Sequence, residues 1–65
     1  MQVLINRAPF EIDATATLAD ALVLAAAKPP FAAALNLQFV PKSNYAQTPL
    51  HDGDQIEIIA PITGG

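Results

Sequence analysis

The period at which apolar positions recur changes along the chain, and each change predicts an element. Gln2 to Asn6 alternates, with Val3 and Ile5 on one face and Leu4 on the other, while Phe10 to Asp13 alternates apolar with acidic residues. Both read as strands, with Phe10 and Ile12 toward a core. Asn6-Arg7-Ala8-Pro9 between them has turn composition and predicts an antiparallel hairpin. From Thr17 to Ala27 the period lengthens, and Leu18, Ala21, Leu22, Ala25 and Ala26 fall on one face of a helix built from strong formers. Thr17 with Asp20 three residues on is a capping pair, Lys28 suits the C-terminal dipole, and Pro29-Pro30 forbids continuation. Val23 and Leu24 lie off the stripe and are expected to pack against the flanking loops.

Strand character returns at Ala33 to Val40, where Leu35, Leu37 and Phe39 alternate and Asn36 leaves room for a turn. An irregular link, Lys42 to Leu50, follows, in which Ser43 has the chemistry to cap a single helical turn. Asp52-Gly53-Asp54 predicts a tight turn, and Gln55 to Ala60 a last strand with Ile56 and Ile58 facing one way. Strand, strand, helix, strand or strand pair, strand is an α+β order. A hairpin followed by a crossover helix predicts a mixed sheet of four or five strands with the helix on one face, the β-grasp architecture of ubiquitin. Residues 1–60 form that domain, and 61–65 are expected to be a flexible tail.

Composition narrows what such a domain can do. At 65 residues with no cysteine, the chain has one core and no disulfide or thiolate chemistry. A hydrophobic share of 52% makes that core feasible, although much of it is alanine, which buries little area. Three basic residues, scattered at Arg7, Lys28 and Lys42, against six acidic ones give a net charge of -3 and argue against nucleic acid as a partner. Leu22-Val23-Leu24 before three alanines imitates a secretory segment, but the acidic residues Glu11, Asp13 and Asp20 precede it where basic ones belong. No stretch of about 20 apolar residues spans a membrane. The expected location is the cytoplasm.

The chemistry then falls to the chain's end. Two final glycines arise by chance in about one sequence in 200, from a glycine share of about 7%. An inert frayed tail is the ordinary reading of such an end. Here the pair follows a strand directly, and glycine suits a tail that must enter a narrow cleft because neither residue carries a Cβ. Attack of the Gly65 carboxylate on the α-phosphate of ATP gives a mixed anhydride, which a sulfur donor converts to a thiocarboxylate. The chain has no phosphate loop, metal-ligand cluster or catalytic constellation of its own, so it reads as a co-substrate and not an enzyme, with no metal or cofactor bound. His51 beside the turn reads as a solvated residue, Asp52 and Asp54 as turn formers, and Tyr45 as a cap on the core.

Several features together resemble a known family: the opening Met1 to Asn6, the segment Phe39-Val40-Pro41-Lys42-Ser43 with Tyr45-Ala46-Gln47 behind it, the run Leu50 to Glu57, and terminal Gly64-Gly65. In this order and at this length the chain resembles the ThiS family, the sulfur carriers of thiamine biosynthesis, over essentially its whole length. The resemblance implies that Gly65 is adenylated by a ThiF-type activating enzyme using ATP and Mg²⁺, then thiocarboxylated with sulfur from a donor protein. It implies delivery to a ThiG-type thiazole synthase, with Ile62, Thr63 and Gly64 threading into partner active sites and an apolar sheet surface docking, for which Ile59 is the candidate. Where the family often has Asn-Gly after the helix, this chain has Asn36-Leu37, and leucine tolerates a left-handed turn poorly, so a wider turn or a continuous strand is expected. Pro61 is reminiscent of the small subunit of molybdopterin synthase, a carrier with another sulfur acceptor. A ubiquitin-like protein modifier and a plain binding module are the readings from other classes.

Overall fold

The computed structural model describes residues 1–60. Its elements are β1 (Gln2–Ile5), β2 (Ala8–Glu11), α1 (Leu18–Leu24), β3 (Ala32–Leu35), β4 (Gln38–Val40), a 3₁₀ helix (Lys42–Gln47) and β5 (Gln55–Ile59). The five strands form one sheet in the order β2-β1-β5-β3-β4. β1 and β5 are parallel and the remaining pairs antiparallel. This is the predicted mixed β-grasp sheet, with the last strand at its centre between the two hairpins.

The first hairpin is tighter than the composition suggests. β2 starts at Ala8, so the turn is only Asn6-Arg7, and both residues hold the left-handed conformation (φ 51° and 70°). Pro9 sits in the ladder on the edge strand, where its missing N–H costs nothing. The second hairpin repeats the device. Asn36-Leu37 (φ 50° and 69°) turns β3 into β4, so residues 33–40 are a hairpin, and neither a wider turn nor a continuous strand forms.

The two asparagines explain why bulky residues are held there. The Asn6 backbone N–H donates to the Ile56 carbonyl (2.9 Å), and its Oδ1 accepts from the Ile58 N–H (2.9 Å). Likewise the Asn36 N–H donates to the Gln55 carbonyl (2.7 Å), and its Oδ1 accepts from the Gln55 N–H (3.0 Å). Each turn is thereby clamped to β5, which satisfies polar groups that the short flanking strands cannot reach.

The capping box is as expected, with the Thr17 N–H donating to Asp20 Oδ2 at 2.8 Å. The helix, however, stops at Leu24, with four residues between it and Pro29. Ala26 is left-handed (φ 56°), its N–H donates to the Val23 carbonyl, and the Ala27 N–H donates to the Leu22 carbonyl, both at 3.0 Å. That is a Schellman ending with alanine where glycine is usual. The prolines therefore do not end the helix, no basic residue lies in its last turn, and Ala26 leaves the buried face and is exposed. A Cβ at this φ costs roughly 1–2 kcal/mol, partly offset in a comparison by glycine's greater unfolded-state entropy. Ala26→Gly is accordingly expected to stabilise the domain by about 0.5–1 kcal/mol, read as a higher urea midpoint at unchanged slope.

Leu18, Ala21 and Leu22 of α1 meet Val3, Ile5, Ala33, Val40, Leu50 and Ile56 in the core. Val23 and Leu24 do not pack on loops as expected: they are 80% and 47% exposed. The link after β4 forms two turns of 3₁₀ helix, capped by Pro41 with no side-chain hydrogen bond, so Ser43 does not act as its cap. Beyond it, the Leu18 N–H donates to the Thr48 carbonyl and the Leu50 N–H to the Ala16 carbonyl, fastening the helix start to the chain that leads into β5.

Candidate functional site

The position of β5 decides where the chain's end emerges. Parallel pairing to β1 and antiparallel pairing to β3 run until Ile59 lies opposite Ala32. β5 therefore ends at that rim, beside the start of β3. Ile62, Thr63, Gly64 and Gly65, on which the sequence places the chemistry, lie outside the described residues.

What the structure does describe is the surface leading to that point. Alternation along β5 turns Ile56 and Ile58 to the core and leaves Gln55, Glu57 and Ile59 on the face away from α1. Register places Ala32 opposite Ile59, and Ala34 opposite both Glu57 and Phe39. Two alanines thus floor a shallow strip between Phe39, 68% exposed, and Ile59, 56% exposed. The exposure of Ile59 is what a docking residue requires. Beside this strip a cleft of about 400 Å³ opens among Leu4, Arg7, Leu37, Gln55, Ile56 and Glu57, so both strained turn residues border it.

Sequence reasoning missed Phe39 and Leu37 as members of this face. In an unbroken strand Leu35 and Phe39 share a side. A two-residue turn pairs Leu35 with Gln38 and Ala34 with Phe39, which moves Phe39 to the opposite face from Leu35. The signal was Asn36, whose side chain tolerates the left-handed conformation.

The remaining candidates resolve into structure. Asp52 Oδ1 accepts from the Gln2 N–H (2.8 Å), and Asp54 accepts from the His51 N–H (2.7 Å) and from Asn36 Nδ2 (3.0 Å). Both carboxylates therefore hold the turn. His51 is exposed, with Nδ1 3.8 Å from Asp54 Oδ2. Tyr45 is half-buried against the core and stacks on Phe31. Asp13 titrates below its ordinary range because the Thr15 hydroxyl and backbone N–H both donate to it (2.6 and 2.7 Å), a local turn away from the strip. Among the described residues no helix is long and apolar enough to cross a membrane.

The arrangement defines a β-grasp domain with an apolar outer strip beside the exit of its C-terminal segment. The model of the ThiS family matches residues 3–65, and the chain belongs to that family, the small sulfur carriers of thiamine biosynthesis. Among solved structures, the crystal structure of thiamine biosynthesis protein ThiS from Geobacter metallireducens superposes with a TM-score of 0.81 over the whole of both chains at 20% identity, which shows the shared fold. A stretch of 30 residues is 60% identical to part of a thiazole synthase from Paramagnetospirillum magneticum. It takes in 46% of this chain and 9% of that protein, so the chain spans only a small part of that relative's length.

Proposed function

We propose that this chain carries sulfur as a thiocarboxylate at Gly65 and gives it up for thiazole formation. The family match, which runs through both terminal glycines, carries this reading. A Gly65 carboxylate oxygen attacks the α-phosphorus of ATP on a ThiF-type partner, and pyrophosphate departs with Mg²⁺. The resulting acyl adenylate has AMP as leaving group. A sulfur nucleophile at the sulfide level, brought by a donor protein, attacks the acyl carbon and AMP leaves with the bonding electrons. The carboxylate has exchanged one oxygen for sulfur.

The chain's own contribution is delivery. The Phe39–Ile59 strip docks on the partner, and Ile62, Thr63 and Gly64 carry Gly65 inward, a path that glycine keeps narrow. The likeness to part of a thiazole synthase supports thiazole as the destination, with a ThiG-type acceptor. The reading is tested by incubating the protein with the activating enzyme, ATP, Mg²⁺ and a sulfur source and weighing it intact. The expected gain is the difference between one sulfur and one oxygen, and its absence in a competent system would remove the proposal. For the strip, Phe39→Asp and Ile59→Asp are each expected to lower kcat/KM for adenylation about tenfold or more, as loss of an apolar anchor does. Unchanged circular dichroism would show the fold intact, and unchanged kcat/KM would remove the strip from the interface.

A further inference from the structure

The outer face of the sheet carries more than the apolar strip. Among the described residues, three of the five large apolar side chains most open to solvent, Leu37 (85% exposed), Phe39 and Ile59, lie on this face or border it, while Val23 and Leu24 sit on α1. The cleft beside the strip also brings together one cation, Arg7, and one carboxylate, Glu57, both exposed. Among the described residues neither is in an ion pair, the one such contact being His51 with Asp54. Arg7 and Leu37 each close a two-residue turn in the left-handed conformation, at φ 70° and 69°, where a glycine relieves the strain. Two side chains held against that strain border the same cleft, which marks them as side chains with a use.

We infer that this face is self-complementary and docks a second copy of the chain, with Arg7 of each copy paired to Glu57 of the other. A two-fold axis lying in the contact plane turns the two faces together and makes every contact twice. One unpaired cation and one unpaired anion on the same face are what such an axis needs, because each copy supplies the charge that the other lacks. A partner carrying charge of one sign leaves either Arg7 or Glu57 covered without a counter-ion, which is unfavourable. The apolar side chains beside the pair supply the surface withdrawn from water, and the pair sets the register. One face of so small a domain lies at the low end of interface sizes, so the association is weak and depends on concentration.

The Phe39–Ile59 strip also serves partner docking in the proposed function. On that reading dimer and partner complex exclude each other, and the fraction of chain held as dimer is withheld from the activating enzyme.

The test uses the full chain and needs no partner. Sedimentation velocity is expected to show monomer passing to dimer between about 10 μM and about 1 mM, a span suited to weak interfaces. Arg7→Glu and Glu57→Arg, both at exposed positions, are each expected to weaken association at least about tenfold with the melt unchanged, and the two together to return it to within about threefold of the parent. Restoration is the decisive reading, because a mere disturbance at each site adds in the double variant and does not cancel. A parent that stays monomeric overturns the inference, and so do single variants that associate like the parent or a double variant no better than the singles. NMR shifts that move with concentration at Val23 and Leu24 instead of Phe39 and Ile59 place the contact on α1 and overturn it as well. These measurements do not depend on sulfur chemistry. A chain that loads sulfur but stays monomeric loses only the self-docking, and one that dimerises without loading loses only the proposed function.

Discussion

Converting the Gly65 carboxylate to a carboxamide is expected to abolish sulfur loading altogether, because the amide nitrogen offers no anionic oxygen to attack phosphorus. Adding one alanine after Gly65 is the subtler form of the same experiment. It keeps a carboxylate but moves it about 3.3–3.6 Å farther along the chain and adds a methyl where the tail must be thinnest. The expected result is again no mass gain, since a displacement near 1 Å already disrupts a reacting geometry. Gly64→Val leaves the carboxylate in register and tests width alone. A β-branched side chain there is expected to lower adenylation kcat/KM by at least about tenfold, equivalent to 1.4 kcal/mol or more. Sulfur found on the alanine-extended chain at the parent rate would sink the idea that Gly65 is read by position. The same incubations separate this reading from protein modification, because isopeptide-linked adducts on lysines of other proteins would accumulate if the chain were a modifier.

How much of this was legible in sequence depends on which physical term dominated each stretch. β5 and its turn could be read because Ile56 and Ile58 alternate with polar residues and Gly53, at φ 86°, occupies a conformation that glycine adopts freely. The capping box was legible because Thr17 and Asp20 interact locally. Three features were hidden because the observed conformation departs from the local preference. Leu37 is left-handed against its own propensity, and the compensation lies in the Asn36 clamp to Gln55, nineteen residues away. Pro9 joins a strand because β2 turns out to be an edge, which no local pattern states. Ala26 ends the helix although alanine is the best helix former, and the stripe arithmetic carries the helix too far for that reason. For the candidate site, the sequence points to the terminal glycines, which lie outside the described residues, whereas the apolar strip was not legible. Its membership follows from hairpin register, and a change of turn length by one residue would have sent Phe39 inward.

Leu18→Ala is expected to unfold much of the population, and this is the largest effect available outside the tail. Leu18, Ile56 and Val3 are the largest fully buried side chains, and three of the ten buried core residues are alanines that cannot expand into a void. Truncating a fully buried leucine costs about 2–5 kcal/mol through lost transfer energy and the cavity left behind. A 65-residue domain holds about 3–10 kcal/mol in total, at about 0.05–0.15 kcal/mol per residue. The cost is thus comparable with the whole, and the melting temperature should fall by about 10–40 °C. Leu18 is also the residue whose N–H donates to Thr48, so a cavity there loosens the join that leads into β5. Leu24→Ala, one turn and a half farther along the same helix but half exposed, is the control and should shift stability by less than about 0.5 kcal/mol. A Leu18→Ala chain that melts with the parent would show that α1 is not what holds the sheet. Set beside the tail variants, the pair of experiments separates two roles. Gly64→Val should lose sulfur loading with its melt unchanged, while Leu18→Ala should lose loading only in proportion to the folded fraction, because the core's part in the chemistry is to fix where β5 ends.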